Sequence, residues 1–358
     1  MMRLLINLVL ILSLPLLIYG CGIPYSGGIE EIRWDADGDH IYYLEQRFLS
    51  GPEPYRYSRI YHARHDLSKK KKIDSGHISG GLDRKSLFPS PNGCYLLYEK
   101  DNELIIYDKL NSKHIFKKQF ESPAPMSQGW LPNSEEFYYT DDTGIHIRSL
   151  DKIVDTILVS RRPFLSGGSN FYGLCWSTDG RYFLYETGRS RFDGNELHVL
   201  DITNMSDRIV SSTPDGFYMG AVISPDAKYI VYSIFYRDGS INSDAKHPGG
   251  RHPQDVAGIW TVDLNGSSEK EIWRGVGWIY NLQWTAFPEN ILFENSTSSL
   301  DTSLIQLKLD GQAEQIASGS WSSLIWDYHR PTNKLIILKK DYQKPKIINL
   351  NSVTKKVE

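Results

Sequence analysis

The sequence has little net charge and only one short block of like charges. Its 358 residues include 40 lysines and arginines against 43 aspartates and glutamates, a formal net charge of −3. Nucleic-acid-binding proteins usually carry a clear basic excess, so a nucleic-acid partner is not expected. The block, Lys69 to Lys72, predicts a solvated loop or strand edge in preference to a patch for phosphates or lipid headgroups.

The sequence also lacks the motifs of common catalytic and metal sites. It contains no Gly-x-Ser-x-Gly, no His-Glu-x-x-His and no glycine-rich phosphate loop before a lysine. We therefore predict a protein that is not an enzyme and has no metal or cofactor. Two groups of suitable residue types lack the regular spacing of a zinc site: His62, His65 and Asp66, and His247, His252 and Asp255.

The long apolar run of this chain lies at its N-terminus. Leu4 to Ile18 is nearly all leucine, isoleucine and valine, a length typical of a signal peptide rather than of a spanning helix. The run ends in Ile18-Tyr19-Gly20-Cys21, which resembles the bacterial lipobox. The alternative is a plain signal peptide with an incidental cysteine.

The lipobox resemblance implies cleavage before Cys21 and a diacylglycerol on its thiol. Residues 1–20 are then a lipoprotein signal peptide, and residues 21–28 are the lipidated cysteine and a short leader. Lipid chains hold a protein on a membrane without a spanning segment. We expect a lipid-anchored protein of the bacterial cell envelope. Gly22 favours an outer-membrane location, facing the periplasm or the cell surface, if the source is Gram-negative.

A short phrase recurs along the rest of the chain: an aromatic or apolar residue, then a turn sequence, then apolar alternation. The seven copies begin at intervals of 41 to 61 residues, close to the period of propeller blades. They are Trp34-Asp35-Ala36-Asp37-Gly38, Pro89-Ser90-Pro91-Asn92-Gly93, Trp130-Leu131-Pro132-Asn133-Ser134, Trp176-Ser177-Thr178-Asp179-Gly180, Ile223-Ser224-Pro225-Asp226-Ala227, Trp284-Thr285-Ala286-Phe287-Pro288 and Trp326-Asp327-Tyr328-His329-Arg330.

Each copy predicts a strand, a tight turn and a second, buried strand. Asp or Asn accepts local backbone hydrogen bonds, and Gly takes the positive-φ position of the turn. The following segments, such as Tyr182 to Tyr185 and Tyr229 to Tyr232, are apolar on both faces, as strands between neighbouring blades should be. More polar third and fourth strands follow in most copies.

The repeat predicts an all-β fold, a seven-bladed β-propeller of four-stranded antiparallel blades over residues 29–358. Six or eight blades remain possible. The count depends on whether Ile29 to Arg33 is the first strand of the first blade or completes the last blade. An open β-sandwich array is the rival architecture. Cys94 and Cys175 fall in copies separated by a third, so we expect buried thiols and no disulfide.

The segments Trp176 to Tyr185 (WSTDGRYFLY) and Ile223 to Tyr232 (ISPDAKYIVY) resemble the WD-like propeller repeat of the TolB family. Propeller domains of prolyl-oligopeptidase-type enzymes share this repeat. The resemblance implies a propeller fold. TolB itself pairs six blades with an N-terminal α/β domain, for which the predicted repeat leaves no room, and the peptidases keep their catalytic serine in a separate domain.

Long connections between second and third strands are predicted in two copies, about Gln46 to Arg59 and about Tyr236 to Val256, and blade four adds Gly188 to Gly194 on the same side. Loops on a rigid scaffold often carry binding groups. We expect this face to bind an envelope protein or peptide; the alternatives are a small-ligand-binding protein or an enzyme at the channel mouth. The candidate residues are Tyr55, Arg56, Tyr57, Arg191, Arg237, Asp238, His247, Arg251, His252 and Asp255.

Other conspicuous residues have simpler explanations. Five of the nine tryptophans occupy the first position of the repeated phrase, which packing explains. Trp278 and Trp321 are predicted in connections between blades and are better candidates for exposed aromatics. Turn chemistry accounts for the neighbouring carboxylates Asp35 and Asp37. The oligomeric state is left open by the sequence.

Overall fold

Seven antiparallel sheets, each built from consecutive strands, make up the structure. The computed structural model describes residues 25–49, 55–78, 86–120, 127–152, 154–160, 170–188, 195–213, 216–236, 256–298, 301–320, 324–339 and 344–350. In the first three blades the strands are β1 Tyr25–Trp34, β2 His40–Leu49, β3 Tyr55–Arg64, β4 Lys71–Gly76; β5 Leu87–Pro89, β6 Tyr95–Lys100, β7 Glu103–Asp108, β8 Lys113–Gln119; β9 Gln128–Trp130, β10 Glu136–Asp141, β11 Gly144–Ser149 and β12 Thr156–Ser160.

The remaining four blades continue the same order. Their strands are β13 Asn170–Trp176, β14 Tyr182–Gly188, β15 Asn195–Asp201, β16 Ser206–Thr213; β17 Gly216–Ile223, β18 Tyr229–Tyr236, β19 Val256–Asp263, β20 Lys270–Val276; β21 Trp278–Trp284, β22 Asn290–Ser296, β23 Thr302–Lys308, β24 Ala313–Gly319; β25 Leu324–His329, β26 Lys334–Lys339 and β27 Lys346–Asn349. A 3-10 turn, Arg330–Thr332, separates β25 from β26. No helix in the described ranges is long and apolar enough to span a membrane.

The prediction of a seven-bladed β-propeller is confirmed. Six sheets have four strands, and the seventh has three in the described part of the chain. Strand β1 pairs with β2, so the N-terminal strand belongs to the first blade and the count is seven rather than six or eight. The predicted last strand, Thr354 to Val357, lies outside the described residues. Strand β1 begins at Tyr25, four residues before the expected start of the propeller.

The repeated phrase forms the same turn in most blades. In blade four, for example, Ser177 N donates to Tyr182 O at 2.8 Å and Gly180 N donates to Ser177 O at 2.9 Å. The residue two before the second strand has a positive φ whether or not it is glycine. The values are +64° for Gly38, +68° for Gly93, +61° for Ser134, +73° for Gly180 and +53° for Ala227.

The core consists of layers between neighbouring blades. Leu184 and Leu197 of blade four pack in one cluster with Ile230 and Tyr232 of blade five, and all four are fully buried. Similar clusters join the other neighbours. Burying one such side chain contributes about 1.5–3 kcal/mol. Each second strand contacts two blades, and it is therefore apolar on both faces.

The tryptophans of the repeated phrase also link blades through their indole N–H groups. Each of three donates to a backbone carbonyl on the inner strand of the preceding blade, a bond whose net contribution is about 1 kcal/mol. The pairs are Trp34 Nε1 with Asp327 O at 3.1 Å, Trp130 Nε1 with Phe88 O at 2.8 Å and Trp284 Nε1 with Val222 O at 3.2 Å.

A buried cluster of charges joins the first blade to the last. Arg33 Nε lies 2.9 Å from Glu31 Oε1, and Arg33 Nη1 lies 3.5 Å from Asp327 Oδ1. The same Asp327 carboxylate accepts the backbone N–H of Trp34 at 2.7 Å, and Glu31 accepts the backbone N–H of Ser86 in blade two at 2.8 Å. Three successive blades are therefore connected around this one cluster.

Asp35 does more than the turn chemistry predicted from the sequence. Its side chain is fully buried and accepts hydrogen bonds from His62 Nε2 at 2.9 Å and from Lys109 Nζ of blade two at 2.6 Å. Asp37, in contrast, caps its own turn as expected, accepting the backbone N–H of Asp39 and of His40 at 2.8 Å each. Asp35 is therefore an inter-blade contact, which local sequence rules do not reveal.

The predicted long connection from Gln46 to Arg59 is wrong, because most of it is strand. Strands β2 and β3 pair over ten residues, from His40 opposite Arg64 to Leu49 opposite Tyr55. In blade two the corresponding strands pair over six, from Tyr95 to Lys100. The extra described residues, 46–49 and 55–59, extend the two paired strands, because aromatic and β-forming residues continue the alternation.

We expect Asp327→Ala to lower the free energy of unfolding by about 3 kcal/mol, since it removes one of the two carboxylates paired with the buried Arg33 and the acceptor of the Trp34 backbone N–H. Asp310→Ala is the control: that exposed carboxylate caps only its own turn, at 2.9 Å from Gln312 N. Urea unfolding followed by circular dichroism measures both variants. Equal losses in the two variants would show that the charge cluster does not hold the ring together.

Asp35 should make stability depend on acid pH. Burial alone raises its pKa, but hydrogen bonds from His62 and Lys109 outweigh burial and place the pKa below its ordinary value. The ionised carboxylate thus stabilises the fold above the unfolded-state pKa of about 3.9, and this contribution is lost as the pH falls through the lower folded-state pKa.

We therefore expect Asp35→Asn to cost about 2 kcal/mol at pH about 5 and progressively less below pH about 4. Urea midpoints of wild type and variant across this range measure the difference directly. Asp310→Asn controls for the loss of a surface charge. A difference that stays constant down to pH about 2.5 would contradict the assignment.

Candidate functional site

The two ends of the ring carry different connections. At one end, the turn end, the tight turns join first to second strands. At the other, the loop end, second strands connect to third strands and each inner strand begins. Pairing of Phe217 with Phe235 and of Asn170 with Gly188 shows that the start of an inner strand lies beside the end of the second strand.

A cavity of about 580 Å³ lies inside the ring against the inner strands of blades two to six. It is bordered at the turn end by Pro91, Pro132 and Thr178, and toward the loop end by Ser127 and Trp278. Its volume is in the range of about 300–1,000 Å³ that is usual for ligand sites. The side chains of the described residues therefore leave the channel open over this stretch.

Aromatic side chains form much of the cavity wall. Tyr138, Trp176, Phe217, Trp278 and Tyr280 line it. The ring of Trp278 lies 6.4 Å from that of Tyr280, with 8° between their planes. Such faces are suited to apolar and planar groups.

Two glycines make room for one of these rings. A Cβ on Gly129 would lie 2.8 Å from Cε1 of Tyr138, and a Cβ on Gly173 would lie 2.6 Å from Cε2 of the same ring. Tyr138 therefore sits between the inner strands of blades three and four, where any larger residue would collide with it. The glycines of these strands shape the cavity wall.

A hydrogen-bonded pair of polar side chains lies within this wall. Asn195 Nδ2 donates to Glu186 Oε1 at 2.6 Å, and both side chains are buried. This bond fixes the orientation of the amide, because the carboxylate oxygen must face the NH2 group. Asn195 Oδ1 is then a buried acceptor that receives no hydrogen bond from the described residues.

Trp176 departs from the pattern of the other repeat tryptophans. Its indole Nε1 is buried and has no acceptor among the residues described, although its side chain lines the cavity. In blade seven, by comparison, Trp326 Nε1 donates to Glu294 Oε1 of the preceding blade at 2.6 Å. An unpaired buried donor or acceptor costs about 1–3 kcal/mol. Three such atoms belong to described residues that line the cavity: Nε1 of Trp176, Oδ1 of Asn195 and the hydroxyl of Tyr218.

Three other polar side chains of the wall have structural partners. Ser127 Oγ accepts the backbone N–H of Gly173 at 2.8 Å, and Ser177 Oγ donates to Asp179 Oδ1 at 2.5 Å. Cys175 Sγ accepts the N–H of Ile223 at 3.4 Å. The Tyr218 hydroxyl is buried without a partner among the described residues, and burial raises the pKa of this phenol.

The structure places the predicted binding face only in part. Tyr55, Arg56 and Tyr57 lie on strand β3, so the expectation that they sit in a loop is corrected: they continue the extended hairpin. Cys21 lies outside the described residues. So do the other predicted binding residues, which are Arg191, Arg237, Asp238, His247, Arg251, His252 and Asp255.

Two further expectations are corrected. Trp278 is the first residue of strand β21 and lines the cavity, rather than lying in a connection; Trp321 lies outside the described residues. Cys94 and Cys175 are not joined in a disulfide, as expected, but they are only half-buried. Across the described ranges, no three His, Cys, Asp or Glu side chains are grouped to hold a metal ion.

Sequence reasoning missed the cavity because its polar groups come from separate strands. Glu186 and Asn195 end and begin successive strands, and nothing in their local sequence marks them as buried partners. The one available signal was the pair of glycines at 129 and 173, which occupy inner strands where apolar residues are the rule.

We expect Trp176→Phe to leave stability unchanged or raise it by up to about 1 kcal/mol, because it removes a buried donor that has no acceptor. Trp284→Phe makes the same change in blade six but breaks the bond to Val222 O, so it should lower stability by about 1 kcal/mol. Thermal and urea unfolding of both variants test this. Equal losses would mean that Trp176 is bonded in solution.

Solved structures share the fold. A chain of the hydrazine synthase of Kuenenia stuttgartiensis superposes with a TM-score of 0.60 at 10% identity, covering 92% of this chain and 98% of that one. The β-propeller domain of Cps50 (Swd1) from Myceliophteria thermophila gives 0.57 at 13% identity, covering 91% and 98%. A structure from a study of two prolyl endopeptidases gives 0.60 at 14% identity, covering 90% of this chain and 50% of that one.

No protein-family model and no curated protein matches the sequence. At identities of 10 to 14%, the structural similarity establishes architecture alone, and proteins of unrelated activity share it. The chain is a seven-bladed β-propeller with an open, aromatic-lined cavity in its channel.

Proposed function

We propose that the chain is a membrane-tethered, non-catalytic binding protein of the bacterial envelope that takes a peptide segment of a partner protein into its channel cavity. The observation that carries this proposal is the channel cavity of about 580 Å³, which is bordered by the inner strands of blades two to six and lined by aromatic rings.

The aromatic wall supports the same proposal. A peptide segment presents apolar side chains together with planar amide groups, and the rings of Phe217, Trp278 and Tyr280 offer flat apolar faces to both. The hydroxyls of Ser127 and Ser177 are occupied by the scaffold, which favours binding over reaction.

The tether is supported by the sequence. The apolar run Leu4 to Ile18 and the lipobox-like segment ending in Cys21 favour a lipid anchor on the mature N-terminal cysteine. The likeness of the repeat to that of the TolB family is consistent with an envelope location. Mass spectrometry of the N-terminal peptide from membrane-purified chain tests the anchor: an unmodified Cys21, or a retained residue 1–20 segment, contradicts it.

A photo-crosslinking amino acid at Met219, which lines the cavity, tests the binding site in cells of the source organism. We expect one reproducible partner segment, mapped by mass spectrometry, with no equivalent product from the same amino acid at Glu314 on outer strand β24. The same product from both positions, or none from Met219 in abundant folded protein, would contradict the proposal.

Two variants separate binding from folding. Trp176→Phe should reduce the affinity for a synthetic peptide of the captured segment about threefold, because it removes part of the aromatic wall, while remaining stable. Trp284→Phe, which lies away from the cavity, should leave affinity unchanged despite its lower stability. Isothermal titration calorimetry gives both affinities, and unchanged binding in Trp176→Phe would remove the indole from the site.

A small organic ligand is the second candidate, favoured by the cavity volume of about 580 Å³, which is typical of small-molecule sites. Native mass spectrometry of the chain purified without denaturation distinguishes it. A bound small molecule that competes with crosslinking at Met219 would establish this reading.

A further inference from the structure

We infer that the loop end of the propeller lies against the membrane surface, so that the mouth of the channel opens toward the bilayer. This inference rests on the proposed lipid anchor at Cys21 and adds to it the orientation of the domain. Three observations carry it. Strand β1 begins close to Cys21, and it is the innermost strand of its blade. The second and third strands of the first blade are also longer than those of blade two.

The tether between lipid and propeller is very short. Strand β1 begins at Tyr25, four residues after Cys21, and a chain extends at most about 3.6 Å per residue. The start of the strand therefore lies within about 14 Å of the acylated cysteine. Residues 25–28, expected to belong to a leader, are already part of the first sheet.

This attachment point is at the loop end. Tyr25 pairs with Phe48, while Trp34 at the other end of the strand pairs with Ile41 beside the tight turn. Strand β1 has ten residues, so at about 3.3 Å per residue its two ends are about 30 Å apart. The tether is too short to bring the turn end to the membrane while the loop end faces away.

The attachment point is also next to the channel rather than at the rim. β1 is the innermost strand of its blade, followed outward by β2, β3 and β4. With strands about 4.8 Å apart, the rim lies about 14 Å farther from the channel. A sideways orientation with the blade edges on the bilayer would use the whole tether, whereas the loop-end orientation needs little of it.

The first blade extends toward the same surface. Strands β2 and β3 pair over ten residues, four more than in blade two, so this hairpin projects about 13 Å beyond its neighbours at the loop end. Its far positions are occupied by aromatic, aliphatic and basic residues, the types enriched at membrane interfaces: Arg47, Phe48, Leu49, Tyr55 and Arg56.

The lysine block lies at the opposite end. Lys69 and Lys70 occupy the exposed connection from β3 to β4. This connection lies at the turn end, because successive strands of the blade run in opposite directions. The most basic short segment of the sequence therefore faces away from the lipid anchor. In this orientation the loop end faces the bilayer surface. A peptide that enters the channel from this side must therefore be presented at the membrane.

Site-directed fluorescence quenching measures the orientation. The full chain, purified from membranes with its lipid, carries Cys94→Ser and Cys175→Ala and one new cysteine labelled with bimane. Loop-end positions are Asp142→Cys in blade three and Ser298→Cys in blade six; their turn-end matches in the same blades are Glu135→Cys and Glu289→Cys. Blades three and six each lie two blades away from blade one, on opposite sides of it.

The labelled proteins are reconstituted in phosphatidylethanolamine and phosphatidylglycerol vesicles that contain a lipid with a nitroxide on its headgroup. We expect quenching to be about threefold or more stronger at each loop-end position than at its turn-end match, given about 23 Å between the ends. Equal quenching at the two ends, or stronger quenching at the turn end, overturns the inference.

Two controls separate the causes. Vesicle flotation shows whether the protein is anchored: failure to float overturns the proposed tether and the orientation together, whereas flotation with equal quenching overturns the orientation alone. Inserting about 20 Gly/Ser residues after Gly22 gives a flexible span of about 25 Å and should abolish the difference between ends. A difference that survives this insertion would show that the short tether does not set the orientation.

Discussion

The closure of the ring depends on one carboxylate. Asp327 in the last blade accepts the backbone N–H of Trp34 and lies beside the guanidinium of Arg33 in the first. In the described part of the chain no strand crosses between the first and last sheets, so side chains close the circle. Apolar packing of Ile32 against Ile325 supplies the bulk of the contact, while the buried charges fix its geometry, because a buried ion must be fully paired.

The cavity lies where the repeat is locally irregular. The indoles of the other repeat tryptophans bond to the preceding blade, whereas Trp176 Nε1 is buried without an acceptor among the described residues. Glycine at position 173 leaves room for the ring of Tyr138 between blades three and four. The residues around these two departures line the cavity.

Anchor, channel and cavity are related through the direction of a single strand. Because β1 is both the first described strand and an inner strand of the ring, the proposed lipid anchor at Cys21 would lie at the same end as the channel mouth. The lysine block belongs to the other end. In the proposed arrangement a binding site in the channel is reached from the membrane side or through the turn end, and this choice restricts which partners can be presented to it.

The sequence by itself determined the blades: the seven repeated phrases predict turns, and the turns form with the expected hydrogen bonds, even where Ser134 and Ala227 replace glycine at positive φ. These are local properties, set by residues within one hairpin. Only the tertiary structure decided that Asp35 bonds Lys109, that Tyr55 to Tyr57 are strand rather than loop, and that Trp278, Glu186 and Asn195 meet around a cavity. Those pairings join residues distant in the chain, and no local pattern encodes which distant strands will face each other across the channel.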